Sequence, residues 1–163
     1  MMFREMRRIK QLLPEDTAKE ILARNTGGTL ALLGDDDYPY AVPMSYVYAD
    51  GKIYFHCAKE GHKIDAIRNH NKASFCVIDQ DEIIPEKYTT YFRSVIAFGR
   101  IHLVENAEDM RRVATVLATK YSPDFTEGIP AEIDACIKNM AIMELDIEHM
   151  TGKEAIELVN MKK

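Results

Sequence analysis

Four strand-like runs follow one another in the first half of the chain, and a single short helical stretch interrupts them. The runs are "GGTLALL" from Gly27, "YPYAVPMSYVY" from Tyr38, "KIYFHC" from Lys52 and "ASFCVID" from Ala73. A doubly wound parallel sheet needs a helical crossover after nearly every strand. This order therefore argues for an antiparallel sheet built from hairpins. Asp50-Gly51, between the second and third runs, is a dipeptide that favours a tight hairpin turn.

The second run alternates cleanly, with Tyr38, Tyr40, Val42, Met44, Tyr46 and Tyr48 on one face and Pro39 and Pro43 on the other. A proline cannot donate to a ladder, so this strand is expected at a sheet edge or at a bulge. Further along, "YTTYFRSVIAFGRIHLVE" reads as a long strand, and Gly99 inside it marks a bulge or sharp coil. "AIMELDIEHMTGKE" reads as the last strand, and "DQDEIIPEKY" as a solvated acidic loop. Helices are expected over "LLPEDTAKEILARN", where Pro14 suits the first turn, over "NAEDMRRVATVLATKY", capped by Asn106, and over "PAEIDACIKNM". The total is about six strands, which fits an antiparallel barrel with peripheral helices.

The chain has 163 residues, the length of one domain, with residues 1–26 as an N-terminal helical segment and 106–139 as a helical insertion packed on the barrel. Its formal charge is −5, which argues against a general nucleic-acid or membrane-surface protein and makes any local basic cluster worth locating. Cys57, Cys76 and Cys136 form no CxxC pair, and "MMFREMRRIKQLL" lacks the apolar core of a secretory leader. Both fit a reducing cytoplasm. No apolar run approaches the length of a membrane span.

Three of the five histidines fall in "YFHCAKEGHKIDAIRNH", where a strand passes through Gly61 into a short helix. The N–H groups of a helix start favour an anion. His62 and Lys63 add cationic side chains there, enough for a phosphate cradle; a solvated lysine and a helix-entry histidine fit the spacing as well. His56 and Cys57 project to opposite faces of their strand. A metal site made of His56, Cys57 and His62 matches no familiar ligand spacing, so no metal is expected.

The ordered segments "VPMSY", "IYFHCAKEGHKIDAIRNHNKASFCV", "YFRSVIAFGRIHLV" and "MTGKE" resemble the pyridoxamine-phosphate-oxidase-like flavoproteins. Within them they are most similar to the branch related to 5-nitroimidazole-resistance proteins. The resemblance runs from Thr29 to Glu154. It implies a mainly β fold with peripheral α, a six-stranded antiparallel Greek-key split barrel with flanking helices. It also implies a homodimer with FMN in the groove between subunits. By the same resemblance His62 and Lys63 hold the flavin phosphate, while His56, Cys57 and Ala58 line the ring and ribityl chain. Pro43, Met44 and Ser45 run along the isoalloxazine, and Ser94, Thr151, Gly152 and Lys153 add contacts, some from the second subunit. The activity implied is an FMN-dependent reductase of small aromatic, nitroimidazole-like acceptors using NAD(P)H or another donor, with His56 as the polar group beside the ring. A non-catalytic flavin- or haem-binding barrel is the alternative. "YAVPMSYVY" has no arginine and the chain has no tryptophan, so pyridoxamine phosphate is not the expected substrate.

Overall fold

The computed structural model describes residues 2–163. An irregular arm, residues 2–14, leads into helix α1 (Glu15–Arg24). One seven-stranded antiparallel sheet follows, of β1 (Gly27–Leu33), β2 (Pro39–Ser45), β3 (Val47–Ala49), β4 (Lys52–Ala58), β5 (Lys72–Ile84), β6 (Thr89–Leu103) and β7 (Met140–Glu154). Helix α2 (His62–Asn69) joins β4 to β5; α3 (Ala107–Tyr121) and α4 (Ile129–Cys136) lie between β6 and β7; α5 (Ile156–Met161) ends the chain.

The spatial order is β2-β1-β5-β6-β7-β4-β3, so β2 and β3 stand at opposite ends of the sheet. Tyr46 alone separates them in the chain. Two Cα–Cα steps reach only about 7 Å, which leaves the two end strands side by side. The sheet must curl until its ends meet, and β2 comes to lie against β4. The ends abut without exchanging a ladder, which is the split of a split barrel. The expected six strands become seven because the long alternating run breaks at Tyr46.

Pro39 and Pro43 sit on the edge strand, opposite Leu33 and Thr29 of β1, with no strand on their other side. The alternation holds through the break: Tyr40, Val42, Met44 and Tyr48 pack against the core, and Tyr46 is fully buried. Tyr38 departs from it, lying 74% exposed in the turn before β2. Gly99 stands at the expected irregularity, where the β6–β7 register shifts. A methyl there would come within 1.9 Å of the Asp146 carbonyl oxygen.

The expected acidic loop is instead strand. β5 continues to Ile84, paired with β6 as far as Thr89, after a register shift between Ile78 and Gln80. The β-branched and aromatic residues Thr89, Thr90 and Tyr91 on β6 supply a partner that extends the ladder beyond the core.

The barrel interior holds Leu30, Phe55, Phe75, Val77, Val95, Ile101, Met143 and Leu145, and α1 adds Ala18, Ile21 and Leu22. Outside, α3 packs Val113 and Leu117 on Val47, Tyr54 and Ile142. Ala114 of α3 meets Ile129 and Ile133 of α4. Among the described residues no helix is long and apolar enough to cross a membrane.

Candidate functional site

At Gly61 the backbone takes φ = 135°, a conformation open to glycine and hostile to other residues. This turn starts α2 directly after β4. No side chain caps the helix, so its first N–H groups are free to meet a ligand. Lys63 is half-buried there, and among the described residues no acid lies within 4.0 Å of its ammonium. Its charge is felt at Cys57: burial pushes that thiol's pKa up, and Lys63 opposes the shift.

His62 leans away from its neighbour. Its ring lies 3.9 Å from the Tyr40 ring, centroid to centroid, and Nε2 accepts from the Asp35 N–H at 3.4 Å. The imidazole therefore braces the turn between β1 and β2.

His56 and Cys57 do point opposite ways, so the trio His56, Cys57 and His62 does not converge. Cys57 packs on the barrel core with Met44. His56 faces out and, with Ser45, lines a cavity of about 260 Å³ beneath α3 and α4. Leu117, Ile133 and Met140 make its walls apolar, while Tyr121, Glu132 and Cys136 supply its other polar atoms. Ala58 is exposed at the end of β4.

The remaining expected residues lie elsewhere. Cross-strand pairing aligns Ile78 with Ser94 and Ser94 with Lys153, and in the next row Pro43 with Thr29, Thr29 with Cys76, Cys76 with Ile96 and Ile96 with Thr151. Paired residues share a face, so Pro43, Ser94, Thr151 and Lys153 all stand on the barrel's outer surface. That surface is unusually apolar for an exposed sheet, with Ile78 at 61%, Ile96 at 39% and Phe98 at 38% exposure. Gly152 faces inward: a Cβ there would touch Leu13 and Ala18 at 3.1 and 3.2 Å, and its carbonyl accepts from Leu13 N–H. On one chain the expected residues thus occupy four places: the α2 entrance, the cavity under α3–α4, the outer sheet face and, for Met44, Cys57 and Gly152, the inward side of the sheet.

The walls of the cavity from α3 and α4 were not legible as site residues, nor was a latch beside it. Where β2 breaks, the Tyr46 N–H has no strand partner and donates to the Tyr121 hydroxyl at 2.8 Å. That hydroxyl in turn donates towards the carbonyls of Thr26 and Tyr46. The Lys120 ammonium donates to the carbonyls of Asn25 at 2.5 Å and Tyr46 at 3.1 Å and sits 4.1 Å from the Tyr46 ring centroid. Burial pulls its pKa down. Tyr46 completes the latch by donating its own hydroxyl to Leu22 O at 2.5 Å. A helical stripe in α3 signals only packing, so the sequence carries no mark of these contacts.

One cluster of metal-ligand type occurs among the described residues, His102, Glu144 and Asp146 on the outside of β6 and β7. His102 Nε2 lies 2.8 Å from Glu144, and Lys52 bridges both carboxylates at 3.3 and 3.2 Å. Both acids are thus already engaged by the Lys52 ammonium.

The profile of a family described as pyridoxamine 5'-phosphate oxidase matches residues 14–154. No curated protein matches the sequence. Solved structures do resemble the fold. A candidate 5-nitroimidazole antibiotic resistance protein from Bacteroides thetaiotaomicron is 20% identical over 88% of this chain and 86% of its own, with a TM-score of 0.73. A conserved hypothetical protein from Mycobacterium tuberculosis is 21% identical over 92% and 90%, with a TM-score of 0.80. An FAD-binding protein from Mesorhizobium loti is 25% identical over 89% and 97%, with a TM-score of 0.66. With most of its length matched by the profile and its barrel shared with these structures, the chain belongs to the pyridoxamine 5'-phosphate oxidase family.

Proposed function

We propose that this protein is a homodimeric FMN-binding oxidoreductase that reduces small aromatic acceptors of the nitroimidazole kind, drawing electrons from NAD(P)H or a similar donor. The observation that carries the reading is Lys63: a half-buried lysine whose ammonium has no acid within 4.0 Å among the described residues, at the uncapped start of a helix that follows a positive-φ glycine. A flavin phosphate near charge −2 suits that combination of N–H groups and a cation. The family and the FAD-binding protein from Mesorhizobium loti support a flavin of some form. The resistance-protein relative supports the acceptor class.

When bound, the flavin supplies the electron-transfer chemistry. The chain's own residues bind, orient and exclude water. Lys63 and the α2 start hold the phosphate. Ala58 follows the ribityl side and Pro43 and Ser45 flank the ring, while Met44 and Cys57 back these strands from the core. His56, at the mouth of the apolar cavity, is placed to donate a hydrogen bond to an acceptor that gains negative charge. Gly152 contributes through its backbone alone.

The dimer in this proposal covers the outer sheet face. Ile78, Ile96 and Phe98 form an exposed apolar surface beside Ser94, Thr151 and Lys153, so the second subunit brings those residues to the flavin. An interface of this kind buries roughly 2,000 Å² or more, and light scattering that finds a monomer at micromolar concentration with flavin bound refutes it. The three free thiols fit a reducing cytoplasm.

The test of the phosphate cradle compares FMN with riboflavin on Lys63→Ala. Losing one charge-assisted contact costs about 1.5–3 kcal/mol for FMN, and riboflavin, which has no phosphate, keeps its affinity. Equal weakening of both ligands refutes the cradle.

A further inference from the structure

The N-terminal arm holds Arg4, Arg7, Arg8 and Lys10 against one acid, Glu5, in a chain whose total charge is −5. All four cations are exposed, and among the described residues none lies within 4.0 Å of a carboxylate. The arm is nevertheless fastened at both ends. Phe3 stacks on His149 at 4.7 Å, with the planes 6° apart, and also meets Phe98. At the other end the buried Gln11 amide donates to Glu154 O at 2.9 Å, Leu12 pairs with Lys153, and Leu13 N–H donates to Gly152 O at 2.9 Å. Strand β4 pairs with β7 only as far as Asp146, so the arm takes the edge that β4 leaves free. It thereby fringes the outer sheet face at Lys153 and His149.

Holding unpaired cations side by side costs Coulomb energy, and among the described residues no carboxylate lies close enough to pair with them. A ligand with more than one negative charge offsets that cost. Outside the arm, which carries +3, the rest of the chain has a formal charge of −8, and this net charge disfavours an extended polyanion such as a nucleic acid or an anionic bilayer, whereas a small, localised anion meets chiefly the arm. Arginine forks suit phosphate oxygens, and the exposed apolar Ile9 and Leu12 between and beside the cations offer surface to a flat base.

We propose that the arm, with Lys153, binds the adenylate end of a dinucleotide, a site separate from the α2 phosphate cradle. Its role in electron transfer rests on the flavin reading above; the binding itself does not. Two sources share this chemistry: the adenylate half of a flavin adenine dinucleotide, and a nicotinamide dinucleotide acting as donor.

The experiment titrates ADP into the full-length protein and into an Arg7→Glu/Arg8→Glu variant by calorimetry at low salt, with thermal melts to confirm that both are folded alike. The expected result is that ADP binds the wild type, that the variant binds at least about tenfold more weakly, and that added salt weakens the wild type more than the variant. FAD and FMN are then compared. If the source is the cofactor, the variant loses affinity for FAD and keeps it for FMN. If the source is the donor, flavin binding is unchanged and the flavin-loaded variant loses NADPH. ADP binding that is absent, or equal in the two proteins, overturns the proposal. So does sedimentation of the wild type, but not the variant, with phosphatidylserine vesicles when ADP fails to bind, which makes the arm a membrane-surface element. ADP binding without any flavin binding keeps this proposal and sinks the flavin reading.

Discussion

Replacing Tyr121 by phenylalanine removes one oxygen and keeps the ring, yet it is expected to destabilise the barrel by about 2 kcal/mol. The oxygen accepts the Tyr46 N–H at the point where β2 gives way to β3, and no ladder partner stands ready to replace it. Tyr46 is fully buried, so water does not take over freely. Leaving a buried donor unsatisfied costs about 1–3 kcal/mol. The carbonyl side loses less, because Lys120 still donates to Tyr46 O at 3.1 Å. For a chain of this length the loss corresponds to a Tm lower by about 4–8 °C. The assay is urea unfolding at one fixed protein concentration, since any self-association shifts apparent stability. A loss below about 0.5 kcal/mol with an unchanged m-value refutes the claim that the hydroxyl holds the split together.

Asp79 gives a pH signature. Arg24 beside it, with Asn25 and Arg93, outweighs the opposing effect of burial and holds its carboxyl down at about 2. A carboxyl depressed in the fold stabilises above its unfolded value of about 3.9, and that contribution fades as pH falls from about 4 to 2. Arg24 is half exposed, so about 1–2 kcal/mol is expected after screening; Asp79→Asn lowers stability at pH 6 and loses its penalty near pH 2, as read by denaturant midpoints. Gly99→Ala is expected to prevent soluble folding, because its Cβ meets backbone at 1.9 Å, whereas Gly152→Ala, tight only against side chains, costs about 1–3 kcal/mol by thermal melt. Lys63→Ala removes the charge that opposes burial at Cys57, so alkylation of that thiol at pH 8 slows severalfold, followed by peptide mass mapping.

The sequence carries the fold through two-residue alternation and its interruptions. Tyr40 to Tyr48 announce one buried face, and Pro39 and Pro43 announce an edge, because both patterns are local. The break at Tyr46 is not local. It exists because the far end of the sheet comes round to meet β2, and the groups that satisfy it arrive from α1 and α3, 74 to 75 residues away in the case of Lys120 and Tyr121. The acidic stretch after Ile78 reads as loop for the same reason: its strand character belongs to its partner β6. The facing of His56 is open in the sequence, since alternation gives the relation to Cys57 but not which of them points inward. The core residues Phe55 and Met143, directly paired, decide it by placing odd-numbered β4 residues inside.

The proposed ligand contacts fall where regular pairing stops. Ser45 is the last residue before the Tyr46 break; Lys63 lies in the first turn of a helix whose first N–H groups have no cap; Lys153 lies on the stretch of β7 that β4 does not reach. In a continuous sheet every N–H and C=O on these strands would be spent on a neighbour. A barrel that closes without a ladder, turns into a helix at a glycine and leaves half an edge to an arm that pairs with it at only one bridge keeps some of them available. The β2–β3 junction is secured by side chains, from Tyr121 and Lys120, rather than by backbone, so the cavity beside it shares the fate of the latch: loosening Tyr46 moves Ser45, its chain neighbour, against His56 across the pocket. Stability at the split and ligand geometry in the cavity are therefore coupled through one residue. The Tyr121→Phe variant is expected to weaken binding of a small aromatic ligand in that cavity even though the ring, which forms the wall, is unchanged, whereas an equally destabilising Val113→Ala, one turn along α3 from Leu117 and outside the cavity lining, is expected to leave it intact. Equal binding losses in the two variants would mean that global stability alone governs the pocket and that the latch has no special claim on it.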